Sequence, residues 1–245
     1  MGETTLLLSY GRHYGGDQRV CLLEAASLLG GEPKTDQPSC VCPVLAAFGR
    51  ILNDEMGDDD VGDALRARHI APLVARLVGT RSTPAVERRR ACLLVDAGVR
   101  KWAPLALRTV GRDVDADELE RLAPVDDSAS ASEASAVVLP LRDQLFAAGD
   151  PALGRVLSTV VQGLRILTAA SAQPSLDAAP QANAGDLDAV MAATAVMFEG
   201  RAETWCDGRA QAWMAPDSMW AAAADALRRA AEVTTEGGDD DLDAG

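Results

Sequence analysis

Apolar residues recur at helical spacing in segment after segment of this chain, and almost nowhere with the strict alternation that a half-buried strand needs. Leu22, Ala25, Ala26 and Leu29 form one such stripe, closed by Gly30-Gly31. Pro43 suits a first helical position, and Val44, Ala47, Phe48 and Ile51 follow it at i, i+3, i+4, i+7, so the spacing predicts a second helix ending near Asn53. The loop from 30 to 42 would then join two helices.

The longest stripe of the first half, Ala67, Ile70, Ala71, Val74, Leu77 and Val78, follows Asp58-Asp59-Asp60, where negative charge favours a helix start. Pro72 is expected to kink it and Gly79 to stop it. Ser82 or Thr83 can cap a helix with Pro84 in its first turn and a buried face of Val86, Leu93, Leu94 and Ala97, which Pro104 bends or breaks. Asp150-Pro151 opens a further helix with Leu153, Val156, Leu157, Val160, Leu164 and Leu167 on one face. Asp186 precedes a stripe of Leu187, Val190, Met191, Met197 and Phe198, and Asp217 precedes an Ala-rich helix to about residue 233. Strand signals are confined to Thr4–Tyr10 and to Ala136–Leu139, which runs into Pro140. The expected fold is all-α, an irregular multi-helix bundle.

The small polar run VDDSASASEAS reads as a flexible connection and divides the chain into a helical module at 1–122, a linker at 123–135, a second helical module at 136–235 and a disordered acidic tail at 236–245. SAQPSLDAAPQANAG at 171–185 reads as a further linker.

With 245 residues the chain can bury a sizeable core without disulfides or a metal. Its 23 Lys and Arg against 37 Asp and Glu leave a net charge of -14, which repels phosphate backbones and anionic lipid surfaces. Nucleic-acid binding through the general surface and membrane association are therefore not expected. The first residues, MGETTLLLSYGRHYGG, lack the basic region of a secretory signal, so the expected location is the cytoplasm, with reduced thiols.

Reactive groups concentrate between residues 21 and 54, where Cys21, Cys40 and Cys42 fall among Glu24, Glu32, Asp36, Asn53 and Asp54. A thiol at a helix N-terminus is stabilised as thiolate, which makes Cys40 and Cys42, next to Pro43, candidate nucleophiles, Cys40 with Glu32 or Asp36 as acid or base. The alternative is a small buried Cys42, a loop Cys40 and turn-forming acids. His13, Cys21, Cys40 and Cys42 are the donor types zinc prefers, but Cys-Val-Cys is not the usual C-x2-C spacing, and no cofactor is expected. Cys92 and Cys206 read as core, and His69 as a boundary residue. Two histidines without G-x-S-x-G, GxGxxG, Walker loop or HExxH leave the common hydrolase, nucleotide and metalloprotease signatures unmatched.

Two surface features could meet a partner. Residues 81–112 hold eight Arg or Lys against Glu87 and Asp96, with Arg88, Arg89 and Arg90 consecutive, which suits an acidic partner or a charged face with an internal ion pair. Trp205, Trp213 and Trp220 would share one helix face if Pro216 did not interrupt it, marking core or interface.

CLLEAASLLGGEPKTDQPSCVCPVLAAFGRILND at 21–54, followed by LVARLVGTRSTPAVERRRACLLVDAGVRKWAP at 73–104, resembles a family of uncharacterised proteins of high-GC actinobacteria. That family's pattern runs roughly C-[VL]-M-E-A, then G-E-x-[FW]-[ST]-D-H-P-x-C-x-[SC]-P-V, W-N-D and R-L-V-G-T-R, and the likeness covers about the first hundred and ten residues. It falls on Cys21, Glu24, Ala25, Gly31, Glu32, Asp36, Pro38, Cys40, Pro43, Asn53, Asp54, Arg76 and Gly79. Gln37 stands at the family's His, Lys34 at its aromatic and Leu52 at its Trp. The resemblance implies a shared helical N-terminal module and assigns no reaction.

The residues support three expectations: a non-catalytic protein acting through a protein partner or a second copy of itself, an enzyme or biosynthetic accessory protein using the 32–42 loop, and a small zinc-bearing module.

Overall fold

The computed structural model describes residues 7–11, 13, 19–170, 201–206 and 209–234, with Ala170 and the strand residues 201–206 and 209–214 given by their backbone. The fold is all-α, with two small two-stranded ribbons among the described residues. Strands β1 (Leu7–Leu8) and β2 (Arg19–Val20) pair in parallel, and β3 (Arg201–Cys206) and β4 (Arg209–Met214) pair antiparallel, Trp205 opposite Ala210 and Trp213 opposite Ala202.

Helices α1 (Leu22–Leu29) and α2 (Pro43–Glu55) stand where the periodicity and punctuation place them. The Ala67–Val78 stripe is one winding path in several pitches: α3 (Asp60–Leu65), a π-helical turn at Arg66–Ile70, a 3-10 turn at Ala71–Leu73 containing Pro72, and α4 (Val74–Leu77). Proline lacks the amide that the preceding turn needs, so the path re-pitches there instead of continuing as regular α-helix. Gly79 then takes φ +75°, a left-handed conformation that glycine adopts without steric cost.

Thr83 caps α5 (Pro84–Ala97), its hydroxyl accepting from Val86 N at 3.5 Å. A π-helical turn at Gly98–Trp102 leads into α6 (Ala103–Arg108), whose first turn holds Pro104, and α7 (Asp113–Glu120) follows. Helix α9 (Pro151–Ala170) starts at the expected Asp150-Pro151, and α10 (Asp217–Glu232) is the expected Ala-rich helix.

The 123–135 linker is corrected at its second half. Asp127 caps a helix that begins at Ser128, its Oδ1 accepting from Ser130 N at 2.8 Å while Ser130 Oγ accepts from Asp127 N at 3.1 Å. That helix, α8 (Ser128–Ala147), runs through Ala136–Leu139, so the strand expectation there fails as well. Ala131, Ala134, Val138, Leu141 and Leu145 carry its buried face, and the exposed Pro140 lies off that face. Small residues that look like a flexible spacer in isolation here let α8 lie close against α9, the helix it packs on most extensively.

Helix α10 returns to the first half of the chain and packs on α5, α2 and α4. One apolar cluster extends from Leu8 through Phe48 and Trp102 to Ala230, so the two expected modules share a core; Phe48 and Trp102 stack with centroids 5.9 Å apart. No helix among the described residues is long and apolar enough to cross a membrane. The expected linker at 171–185, the Leu187–Phe198 stripe, the 236–245 tail, and the side chains of Trp205, Cys206 and Trp213 lie outside the described residues.

Candidate functional site

The polar residues between 21 and 54 separate into two neighbouring structures. The first is a buried anchor. Cys21 caps α1 with its Sγ accepting from Glu24 N at 3.4 Å, and the Glu24 carboxylate returns to accept from Cys21 N at 2.9 Å. This is a capping box with cysteine where serine is usual. The other Glu24 oxygen accepts from His13 N at 3.0 Å. From α2, Asn53 Oδ1 accepts from Leu22 N at 3.3 Å, its Nδ2 donates to Ser9 O at 3.2 Å, and Asp54 Oδ1 accepts from Gly11 N at 3.2 Å.

Glu24 and Asn53 are each 1% exposed. Their side chains satisfy amides that the start of α1 and the incoming N-terminal segment would otherwise bury unpaired. Arg66, 0% exposed, closes the anchor from the π-helical turn, donating to Asn53 O at 3.1 Å, Asp63 Oδ1 at 2.8 Å and Gly57 O. Apart from the Arg66–Asp63 ion pair, each of these contacts holds backbone in place.

The second structure is the 30–42 loop. Glu32 folds its carboxylate back to accept from Ser39 Oγ at 2.7 Å, Ser39 N at 2.8 Å and Cys40 N at 2.8 Å. These donors, the Ser39 hydroxyl foremost, hold its pKa below the ordinary carboxylate value. Ser27 Oγ donates to Pro33 O at 2.5 Å, tying the loop to α1, while Cys42 N donates to Thr80 Oγ1 at 3.1 Å and Arg81 N to Cys40 O at 3.3 Å, tying it to the segment after α4.

Three of the thiols, Cys21, Cys40 and Cys92, are biased towards the protonated form. Cys40 is half-buried, and burial together with the facing Glu32 carboxylate raises its pKa. Cys42 occupies the N-cap position of α2, makes no side-chain capping bond there, and is fully buried. Burial pushes Cys21 and Cys92 up to about 11. Of the two thiols expected near the start of α2, Cys42 stands at its N-cap and Cys40 lies two positions before it, outside the helix. A β-carbon on Gly30 would lie 2.8 Å from Cys40 Sγ, so the thiol packs against backbone that only glycine leaves open.

Glu32 is committed to the loop, and Asp36 lines a small cavity of about 80 Å³ beside Cys21, Arg50 and Asn53. The zinc candidates do not converge: no three His, Cys, Asp or Glu side chains among the described residues form a metal-binding group. His13 lies over Glu24, with its Nε2 buried and without a hydrogen-bond partner among the described residues.

Two of the three consecutive arginines are bonded within the fold, while Arg88 is exposed. Arg90 is 3% exposed and donates to Thr80 O at 2.5 Å and Val233 O at 2.7 Å, and Arg89 donates to Thr234 O at 2.7 Å. Both hold carbonyls at the C-terminal end of α10, where cationic donors are favoured. Further along the basic island, Arg100 pairs with Asp96 at 2.6 Å and Arg108 with Glu120 at 2.8 Å. Trp220 is 1% exposed in the core of α10, and the hairpin holding Trp205 and Trp213 rules out one helical face for the three. His69, at the expected boundary, sets its Nε2 2.8 Å from Asp217 Oδ1.

Among the described residues, a cleft of about 490 Å³ opens between the 30–42 loop and α2. Pro38, Val41, Pro43, Ala46 and Ala47 make its apolar floor, with Gln37 and Ser39 on the loop side and Arg50 and Arg81 lining it. The Arg50 guanidinium donates to Asp36 O at 2.8 Å; neither it nor Arg81 pairs with a carboxylate among the described residues. The two arginines lie 31 positions apart in sequence (81 − 50), on different elements, so no spacing signal announces them. Comparison with family models, with curated proteins and with solved structures returns no match for this chain.

Proposed function

We propose that this is a non-catalytic cytoplasmic protein that works by binding another protein segment, and that the cleft between the 30–42 loop and α2 is its docking surface. The observation that carries this reading is the pair Arg50 and Arg81. In a chain with net charge -14, two guanidinium groups without carboxylate partners among the described residues line one apolar-floored cleft. An arginine pair over an apolar floor suits a ligand with carboxylates beside a hydrophobic side chain.

The competing enzyme reading needs a thiolate at Cys40, and both burial and Glu32 push that thiol the other way. The excess of acidic side chains disfavours a nucleic-acid partner. The test is photo-crosslinking with benzoylphenylalanine at Gln37 in cells, followed by mass spectrometry, against the same probe at the exposed Val114. A defined adduct at Gln37 that is absent at Val114 and lost in an Arg50→Glu, Arg81→Glu variant is expected. No Gln37-specific adduct would sink the reading.

A further inference from the structure

From the way the chain leaves α10, we infer that the cleft is occupied in cis by this protein's own acidic segment, residues 236–245. The inference rests on the reading of the cleft as a docking surface and names its occupant.

Three observations converge on it. The first is position. Arg90 bridges Thr80 O and Val233 O, and Arg89 holds Thr234 O, so the end of α10 lies one guanidinium away from Thr80. Thr80 in turn accepts from Cys42 N at the cleft's edge, and its neighbour Arg81 lines the cleft. The chain therefore leaves the described fold beside the site.

The second is reach. Residues 235–245 can span roughly 36 Å when extended at about 3.3 Å per residue, far more than the cleft requires. The third is chemistry. The segment EGGDDDLDAG carries Glu236, Asp239, Asp240, Asp241 and Asp243 with no Lys or Arg, and a single large apolar residue, Leu242, set between two acids. An apolar floor of Pro38, Pro43, Ala46 and Ala47, flanked by two guanidinium groups that have no carboxylate partner among the described residues, is the complement of that pattern. Tethering raises the local concentration of the segment into the millimolar range, so even a low intrinsic affinity fills the site. A partner with the same chemistry would have to displace it, which makes the acidic segment a built-in competitor.

The test uses the full chain. With benzoylphenylalanine at Gln37, the expected product is an intramolecular cross-link to the 236–245 peptide in the monomer, reduced at least about fivefold by Arg50→Glu with Arg81→Glu and by high salt. Folding-safe support comes from neutralising the segment (Glu236→Gln with Asp239, Asp240, Asp241 and Asp243 each →Asn). A fluorescein-labelled EGGDDDLDAG peptide should bind this variant at least about tenfold more tightly than it binds the unaltered protein. Equal peptide binding to both proteins, or a cross-link found only between two copies, overturns the inference. A Gln37 adduct with another protein and none with 236–245 also overturns it while leaving the docking surface in place. No adduct of either kind overturns both.

Discussion

Arg90 joins Thr80 to Val233: one buried guanidinium donates to both carbonyls, at 2.5 and 2.7 Å, and so fastens the segment after α4 to the end of α10. The Arg90–Val233 bond spans 143 positions of sequence and links the end of the last described helix to the cleft edge.

Replacing this residue should cost stability out of proportion to its surface. Arg90→Met leaves two carbonyls without their donor, one of them buried, and is expected to lower the unfolding free energy by about 3 kcal/mol in urea titrations. Arg89→Met, whose bond to Thr234 O is solvent-exposed, should cost less than about 1 kcal/mol. Equal losses at the two positions would contradict the assignment.

The buried anchor makes a second contrast. Asn53→Ala removes acceptor and donor from Leu22 N and Ser9 O together and should cost about 3 kcal/mol. Cys21→Ser keeps a side-chain acceptor at the N-cap of α1 and should change stability by less than about 1 kcal/mol, whereas Cys21→Ala should lose about 1. Thermal melts of the three variants would rank them.

The buried thiols give an alkaline signature. Cys21 and Cys92 are raised by burial from 9.0 to about 11. Between those values the unfolded chain has lost protons that the folded chain still holds, so stability falls as pH rises, by about 1.4 kcal/mol per pH unit for each thiol. Cys92→Ala should remove about half of that combined slope, and denaturation at about pH 8 and about pH 10 reads it directly. At neutral pH both thiols should react with iodoacetamide at least about tenfold more slowly than free cysteine. A fast Cys40 would revive the nucleophile reading.

Glu32 predicts the opposite sign at low pH. Its carboxylate lies below the ordinary value because Ser39 and Cys40 donate to it, so the order it lends the loop is present above pH 4.5 and is lost as pH falls through its lowered value. Glu32→Gln should speed hydrogen exchange at the Ser39 and Cys40 amides at neutral pH, and acid should do the same to the unaltered protein. Unchanged exchange in the variant would detach Glu32 from the loop.

Legibility in the sequence varied by element. The ends of α1, α2, α5 and α9 could be read because Gly30, Pro43, Thr83 with Pro84, and Asp150-Pro151 act within one turn of themselves. The C-x-x-E of Cys21 and Glu24 is likewise a local signal, a capping box with a thiol in place of a hydroxyl.

Helical class, the caps, and the concentration of polar groups at 21–54 were thus determined by sequence alone, since each depends on contacts a few residues long. The roles of those groups were decided only by the tertiary structure. Glu24 and Asn53 became backbone anchors because the N-terminal segment folds over α1 and α2, and Arg89 and Arg90 became clamps because α10 returns to α5. Arg50 and Arg81 came to line one cleft because Cys42 and Thr80 join their elements. Side chains distant in sequence acquire partners only when the chain closes on itself, and whether a charge is spent inside the fold or left at its surface is settled by that closure.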